Sequence, residues 1–350
     1  GSGRWFLLGY EHVSAGLSQI VRGTPSGPDR RVHFPANPFA ADGPEHQGPR
    51  RLLAPSFTNR SVKRFEQRAR SIVDAVLDTK ADGDGLRLCD ELGFVLPYTL
   101  TCEMLGVPDV SIRDDLRTWT WKCQQLLDPF LDDARLADCM AASGELAGHL
   151  HDVLVWKRDH LDDDLLSMVL RASDDGSVLR PEQVLSYVHT LYLAGMHTTI
   201  NQVALSVLAL LRNPAQWELL RSDRSLLENA VEEVLRFEPT AQFMRRATDH
   251  EVEICDVTIP AGVDVLCWIA SANRDPEHWG PDADVLDIRR PDARQHVAFG
   301  FGPHVCMGAW LARLELQIVI GSLLDRFPHS TLPDQQIDWQ SVVLRGPSEL

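Results

Sequence analysis

The stretch "FGFGPHVCMGAWLAR", Phe299 to Arg313, decides how this chain is read. Gly300, Gly302 and Gly308 flank Cys306, and a helical pattern resumes near Met307 in "CMGAWLARLELQIVIGSLLDRF". Peptide N–H groups left unpaired at a helix start favour negative charge, so a thiolate is stabilised there. Glycines let something flat and bulky approach the backbone. A thiolate whose potential must be tuned needs N–H donors around its sulfur. An isolated free cysteine is ordinarily a small buried hydrophobe; the glycines around Cys306 reverse that reading.

The other six cysteines, Cys89, Cys102, Cys123, Cys139, Cys255 and Cys267, have no such setting, and the seven together form no CxxC pair and no zinc spacing. Reduced thiols in the cytosol account for them. The chain has 350 residues, 44% hydrophobic and 24% charged. That composition suits an ordered globular protein of one large domain or two smaller ones. Its 34 basic and 50 acidic residues leave a formal charge of −16, which disfavours nonspecific binding to nucleic acid or anionic membranes. The apolar run in "RWFLLGYEHV" is too short for a signal peptide or an anchor. A soluble, cytoplasmic chain is expected.

From Ser61 to about Arg236 apolar residues recur at three- and four-residue spacing, as in "VKRFEQRARSIVDAVLD", so this half is predicted helical. The longest candidate starts at Pro181 and stops at Arg212, before Asn213 and Pro214. It carries no formal charge between Glu182 and Arg212, yet Gln183, Ser186, His189, Asn201, Gln202 and Ser206 interrupt it. A helix buried on nearly all sides fits better than a membrane span. After Pro239, "HEVEICDVTIPAGVDVLCWIASANRDP" alternates apolar and polar residues, with turns at Cys255-Asp256 and Pro260-Ala261-Gly262. Short strands of a small antiparallel sheet are predicted. The segment from Arg22 to Pro49, rich in Pro and Gly, reads as a long irregular loop of the kind that often serves a site.

The cysteine stretch closely resembles the haem-binding signature F-G-x-G-x-H-x-C-x-G-x-x-L-A-R of cytochromes P450. "EEVLRF" holds that family's E-x-x-R as Glu233 and Arg236, and "ANRDP" followed by "DIRR" holds the segment that supplies Arg290. Glu233 and Arg236, three apart on a helix, share a face and can pair, and Arg290 can bind the same carboxylate. The resemblance runs from "RWFLLGYEHV" to "LLRGPSEL". It implies a single domain over residues 1–350, mainly α-helical with small antiparallel β-sheets. The long helix would cross above the haem and the cysteine loop would lie beneath it. The family's usual N-terminal helix and the start of its first sheet have no counterpart in this sequence.

Residue by residue, the resemblance makes Cys306 the axial ligand of haem b, within a loop that includes Phe299, Gly300 and Gly308. His304, Arg245 of "FMRRA", His46 and Arg50 would meet the haem propionates. In the family, the last two form H-x-x-x-R on one helix face. Here the segment is "HQGPRRL", and Pro49 belongs in a helix's first turn, which would put His46 outside the helix. Glu233, Arg236 and Arg290 would form a structural lock. Substrate would be lined by the loop from Gly23 to Glu45, by Tyr192 and Ala194, and by Gln242 and Phe243 of "TAQFM". Arg50, Arg51, Arg60, Lys63, Arg64 and Arg68 form a basic cluster that reads either as a solvated helix face or as a docking site for an acidic ferredoxin.

"LAGMHTTINQ", Leu193 to Gln202, falls on the long helix. The family pattern there is A-G-x-[D/E]-T-T, and this chain has His197 in place of the acid. Thr198 keeps the position that orients water at the bound oxygen. Threonine hydroxyls bond back to carbonyls four residues earlier, so Thr198 to Ala194 and Thr199 to Gly195 are the expected pairs. His197 has three readings: a proton relay, a mark of altered chemistry such as coupling, nitration or peroxide-driven oxidation, or a histidine paired in the groove with no catalytic part. The function implied is a monomeric haem-thiolate monooxygenase acting on a small organic substrate in specialised metabolism. Electrons would come from a ferredoxin-type donor and its reductase, or peroxide would replace them. A catalytically silent haem protein stands as the alternative. Substrate and regioselectivity are not legible.

Overall fold

The computed structural model describes residues 4–21, 41–81, 83–108, 114–128, 131–176 and 178–350. Its elements run β1 (Arg4–Leu7), α1 (Tyr10–Gln19), α2 (Gly43–Leu53), α3 (Asn59–Val62), α4 (Glu66–Leu77), α5 (Val95–Leu105), α6 (Asp114–Gln125) and α7 (Asp133–Arg158). Then come α8 (Leu165–Asp174), α9 (Pro181–Arg212), α10 (Pro214–Ser222), α11 (Leu227–Phe237), β2 (Met244–Ala247), β3 (Val252–Ile254), β4 (Val257–Ile259) and β5 (Asp264–Cys267). Two short helices, α12 (Ile269–Ala272) and α13 (Pro276–Trp279), precede the last one, α14 (Ala309–Arg326).

The uncharged run forms α9 with the expected ends. Pro181 opens it, Arg180 N–H donates to Gln183 Oε1 (3.0 Å), and Asn213 Nδ2 bonds back to Ala209 O (2.8 Å). At 1.5 Å per residue the helix is roughly 48 Å long. Its apolar stretch is buried in protein, packed against α5, α7, α11 and α14 in the main core. A second cluster fills the space between α1 and the sheet, with Leu7, Val13, Leu17, Val265 and Cys267.

The β3–β4 hairpin turns at Cys255-Asp256 as expected, with Cys255 at φ 52°, the positive φ that a two-residue hairpin demands. The larger sheet has the order β1-β5-β2: β2 is antiparallel to β5, but β1 is parallel to it. A parallel pair needs a long connection, and nearly the whole helical half lies between these two strands. The antiparallel expectation therefore holds within residues 244–267, and β1 adds a parallel edge from the start of the chain.

Where a long loop was expected up to Pro49, the chain is already helical from Gly43. The first-turn proline of α2 is Pro44, and Pro49 lies inside the helix. His46 is thus helical and shares a face with Arg50, four residues on. Residues 22–40 of that expected loop lie outside the described residues.

The lock closes beneath this core. Arg236 donates Nε to Glu233 Oε2 (2.7 Å) and Nη2 to Oε1 (2.8 Å), with both side chains fully buried. Arg290 Nε (3.4 Å) and Asp287 N–H (3.0 Å) reach the same Oε1. The other guanidinium donors go to carbonyls of Asn273, Ala283 and Val285 from Arg236, and of Trp279 and Asp282 from Arg290. Removing one member strands a buried charge, which costs about 3–5 kcal/mol. Arg236→Leu should therefore lower unfolding free energy in denaturant titrations by about that amount, and Glu233→Leu/Arg236→Leu by less than the single change.

Candidate active site

The cysteine loop is shaped by its glycines and by α1. Gly302 has φ 73°, and a Cβ there would come within 2.9 Å of Ser18 Cα, so α1 backbone presses directly on the loop. Gly300, at φ 75°, turns the chain and donates to Val297 O (2.8 Å), and Cys306 N–H donates to Phe299 O (2.8 Å). Cys306 is solvent-reached, three residues ahead of α14. Burial by surrounding protein pushes its thiol up from the ordinary cysteine value, while the Gly308 N–H, Arg50 and Arg313 pull it down. A metal cation at the sulfur would favour the thiolate further.

Four expected propionate partners divide into two groups. His304 Nε2 is 2.8 Å from Asp42 Oδ1, and its ring lies 3.9 Å from that of His46, which is buried on α2. Arg50 Nη2 donates to Val305 O (2.7 Å). These three gather at the cysteine loop. Arg245 is placed elsewhere: its guanidinium forms a bidentate pair with Asp264 of β5 (2.8 and 2.9 Å). Side chains alternate across a strand, so the next residue points to the opposite face.

That residue, Arg246, is 3% exposed, with Nη1 on Arg245 O (3.0 Å) and a buried Nε that has no hydrogen-bond partner among the described residues. It feels the charge of Asp42, the partner of His304, and burial depresses its pKa. Arg246 therefore lies on the Val265 face of the sheet, opposite to Arg245, and within the electrostatic reach of Asp42. Two consecutive arginines on a strand cannot share a face, and Asp264 two positions along the β5 register claims the first.

On α9, Ala194 is exposed in the middle of a buried helix and Thr198, one turn on, is half-buried. Thr198 Oγ1 donates to Ala194 O (2.9 Å) as expected. The corresponding Thr199 bond does not form. Gly195 answers to packing: a Cβ there would meet Thr101 Oγ1 of α5 at 2.6 Å. His197 is 6% exposed, its Nε2 has no partner among the described residues, and burial pushes its pKa down to about 4. It is neutral at pH 7, which differs from a side chain titrating near its usual 6.5.

The expected substrate-lining residues separate. Tyr192 is 1% exposed and buried on the side of Tyr98 and Cys102 of α5, where desolvation raises its pKa; it lies on the opposite side of α9 from Ala194. Phe243 packs into a small cluster with Ala241, Leu266 and Val343, its ring 5.0 Å from Trp268. Gln242 is half-buried, with Nε2 on Pro239 O (2.6 Å). Most of the loop from Gly23 to Glu45 lies outside the described residues.

On the α14 side of Cys306 is a cavity of about 370 Å³, lined by Arg50, Phe57, Arg294, Met307, Trp310 and Arg313 among others. Arg50 is the member of the basic cluster that lines it. Arg68 is paired with Glu103 (2.7 Å), but Arg51, Arg60, Lys63 and Arg64 are exposed and have no carboxylate partner among the described residues.

These features have close relatives. The family model for cytochrome P450 matches residues 22–344. The chain belongs to the cytochrome P450 family. It is 40% identical to a vitamin D(3) 25-hydroxylase of Pseudonocardia autotrophica, over 92% of this chain and 80% of that protein. With the cytochrome P450 monooxygenase PikC of Streptomyces venezuelae it shares 37% identity, over 98% and 83%. The solved structure of the tirandamycin C-bound P450 monooxygenase TamI superposes with a TM-score of 0.87 at 34% identity, covering 100% of this chain and 89% of that one. That of P450BioI in complex with a hexadec-9Z-enoic acid ligated acyl carrier protein gives 0.90 at 29% identity, over 99% and 90%. As a P450, the chain is a haem-dependent oxidoreductase of the monooxygenase type.

The residues fit haem. Cys306 offers a soft sulfur ligand with an N–H donor beside it, and Arg246 offers a buried guanidinium with an unused N–H. A charged hydrogen bond of this kind contributes about 1.5–3 kcal/mol. Arg246→Leu is accordingly expected to speed haem transfer to apomyoglobin about ten- to a hundredfold. Arg245→Leu should leave that rate within about twofold, because its partner is Asp264.

Proposed function

We propose that this P450 binds haem b through Cys306 and hydroxylates a small organic substrate of specialised metabolism, acting as a cytoplasmic monomer and a single domain over residues 1–350. Electrons come from NAD(P)H through a reductase and an acidic ferredoxin. Haem with a thiolate ligand supplies dioxygen activation, the thiolate favouring O–O cleavage. Overall, one oxygen atom enters a C–H bond and the other leaves as water, consuming two electrons and two protons.

The observation that carries this reading is the opening in α9, where Ala194 is exposed and Thr198 stands one turn away in an otherwise buried helix. The Thr198 hydroxyl hydrogen is committed to Ala194 O, so its lone pairs are left to accept from water. That holds a water in the groove with its other hydrogen directed outward. His197 stores no proton at pH 7; it takes part in proton delivery only by accepting one as it releases another. His304, His46, Arg50 and Arg246 hold the propionate side, and Gly308 N–H steadies the sulfur.

The exposed cations Arg51, Arg60, Lys63 and Arg64 supply a positive field beside the Cys306 loop in a chain of net charge −16. An acidic iron–sulfur protein is steered to such a face. The relatives also support a carbon-skeleton substrate of moderate size: their names cite vitamin D(3) and tirandamycin C.

The test begins with a compound screen for displacement of the iron's water, read as a shift of the Soret band. Compounds that shift it are incubated with ferredoxin, reductase and NADPH under heavy-isotope dioxygen. The expected product carries one heavy oxygen atom. Unlabelled product contradicts the reading and favours the altered chemistry, whereas neither product nor compound-dependent NADPH consumption from every compound that shifts the band contradicts it and favours a silent binder.

A further inference from the structure

Next to the lock carboxylate on α11 lies a second buried carboxylate that the proposed chemistry does not use. Glu232 is 7% exposed. It accepts from Arg313 Nε at Oε1 (2.7 Å) and Arg313 Nη2 at Oε2 (2.9 Å), and His296 Nε2 lies 3.2 Å from Oε2. Arg294 Nε stands 3.5 Å away, on a largely exposed side chain. Successive residues on one helix point about 100° apart. Glu233 therefore faces Arg290 and the segment 282–287, while Glu232 faces the cysteine loop and α14.

Hydrogen bonds set the tautomer of His296. Ala298 N–H donates to His296 Nδ1 (3.1 Å), which makes Nδ1 the acceptor and leaves the ring hydrogen on Nε2, directed at Glu232. The ring is neutral, in keeping with the lowering of its pKa by burial. Burial pushes Glu232 up, but the bonds from His296 and Arg313 outweigh it and bring the carboxyl to about 2. The two buried charges of the cluster are thus one carboxylate and one guanidinium, both constant across the working pH range.

Arg313 connects the cluster to the sulfur. Its guanidinium lies 4.6 Å from the Phe299 ring centroid, and the Phe299 carbonyl accepts the Cys306 N–H (2.8 Å). Arg313 and Cys306 line the same cavity, and the positive charge of Arg313 favours a negative sulfur. Glu232 lies against the same guanidinium and offsets part of that charge.

We infer that Glu232 is a positioning residue which, braced by His296, sets how much of the positive charge of Arg313 reaches Cys306 and thereby the reduction potential of the haem. The inference rests on Cys306 being the axial ligand. Reduction adds an electron, so uncompensated positive charge nearby favours the reduced form and uncompensated negative charge disfavours it.

The test is a redox titration of substrate-free holoenzyme for the native chain, Glu232→Gln, Arg313→Gln and the double variant, with thermal unfolding measured in parallel. Glu232→Gln is expected to shift the potential upward and Arg313→Gln downward. The double variant should return close to native, because it removes a neutral pair. Unchanged potentials, shifts of the same sign, or a double variant displaced by the sum of unrelated effects would overturn the inference, whatever the melting temperatures do. Failure of both single variants to retain haem would also overturn it, by making the pair a structural joint. Axial ligation is read separately, from the Soret position of the reduced carbon monoxide complex of the native protein. A native complex without thiolate character would remove the functional reading itself, whereas thiolate character with immobile potentials would remove only the inference.

Discussion

A buried carboxylate keeps its charge only where cations and N–H groups surround it, and α11 buries two in succession. Glu233 draws in Arg236, Arg290 and the Asp287 N–H, which ties the segment from Asn273 to Arg290 against the helix. Glu232 draws in Arg313 of α14 and His296 at the entry to the cysteine loop. Between them these two side chains determine where the loop begins, where α14 lies, and so where Cys306 can be. Loops that cross a protein without regular structure have little other means of holding a ligand still. Here the irregular stretch between α13 and α14 is pinned at both ends by one helix.

The opposite wall is built by a different device. α9 carries no formal charge between Glu182 and Arg212 and is buried by packing, so an opening in it has to come from small residues. Gly195 admits Thr101 on one side, and Ala194 leaves the other side open, with the Thr198 hydroxyl turned back onto the helix. His197 stands beside that opening in a dry environment. An unpaired acid in so dry a site would be pushed toward its protonated form, whereas an imidazole with a pKa of about 4 is an uncharged group with one nitrogen unpartnered among the described residues.

Much of this was legible in the residues. The ends of α9, the Cys255-Asp256 hairpin, the E-x-x-R pair and the loop around Cys306 all follow from local chemistry: a first-turn proline, a two-residue turn, a three-residue helical spacing, and glycines before a helix. Other features depend on partners distant in sequence. Arg245 and Arg246 look equivalent in a string of letters, and Asp264 together with the pairing of β2 on β5 decides which face each one takes. Tyr192 sits one helical face away from Ala194, which became evident only once α5 covered it. Pro49 was read as a helix start because nothing local shows that α2 is held against His304 and Val305. The parallel strand β1 needs a partner more than two hundred residues away, and no local pattern specifies one.

Everything proposed for this molecule depends on the sulfur of Cys306 being the ligand of the haem iron. The most direct measurement is the absorption spectrum of the reduced carbon monoxide complex, recorded for native protein and for Cys306→Ala reconstituted with haem. The account predicts the long-wavelength Soret band of thiolate ligation in the native protein and its loss in Cys306→Ala. A native complex with the short-wavelength band of a neutral ligand, or a long-wavelength band that survives in Cys306→Ala, would contradict it.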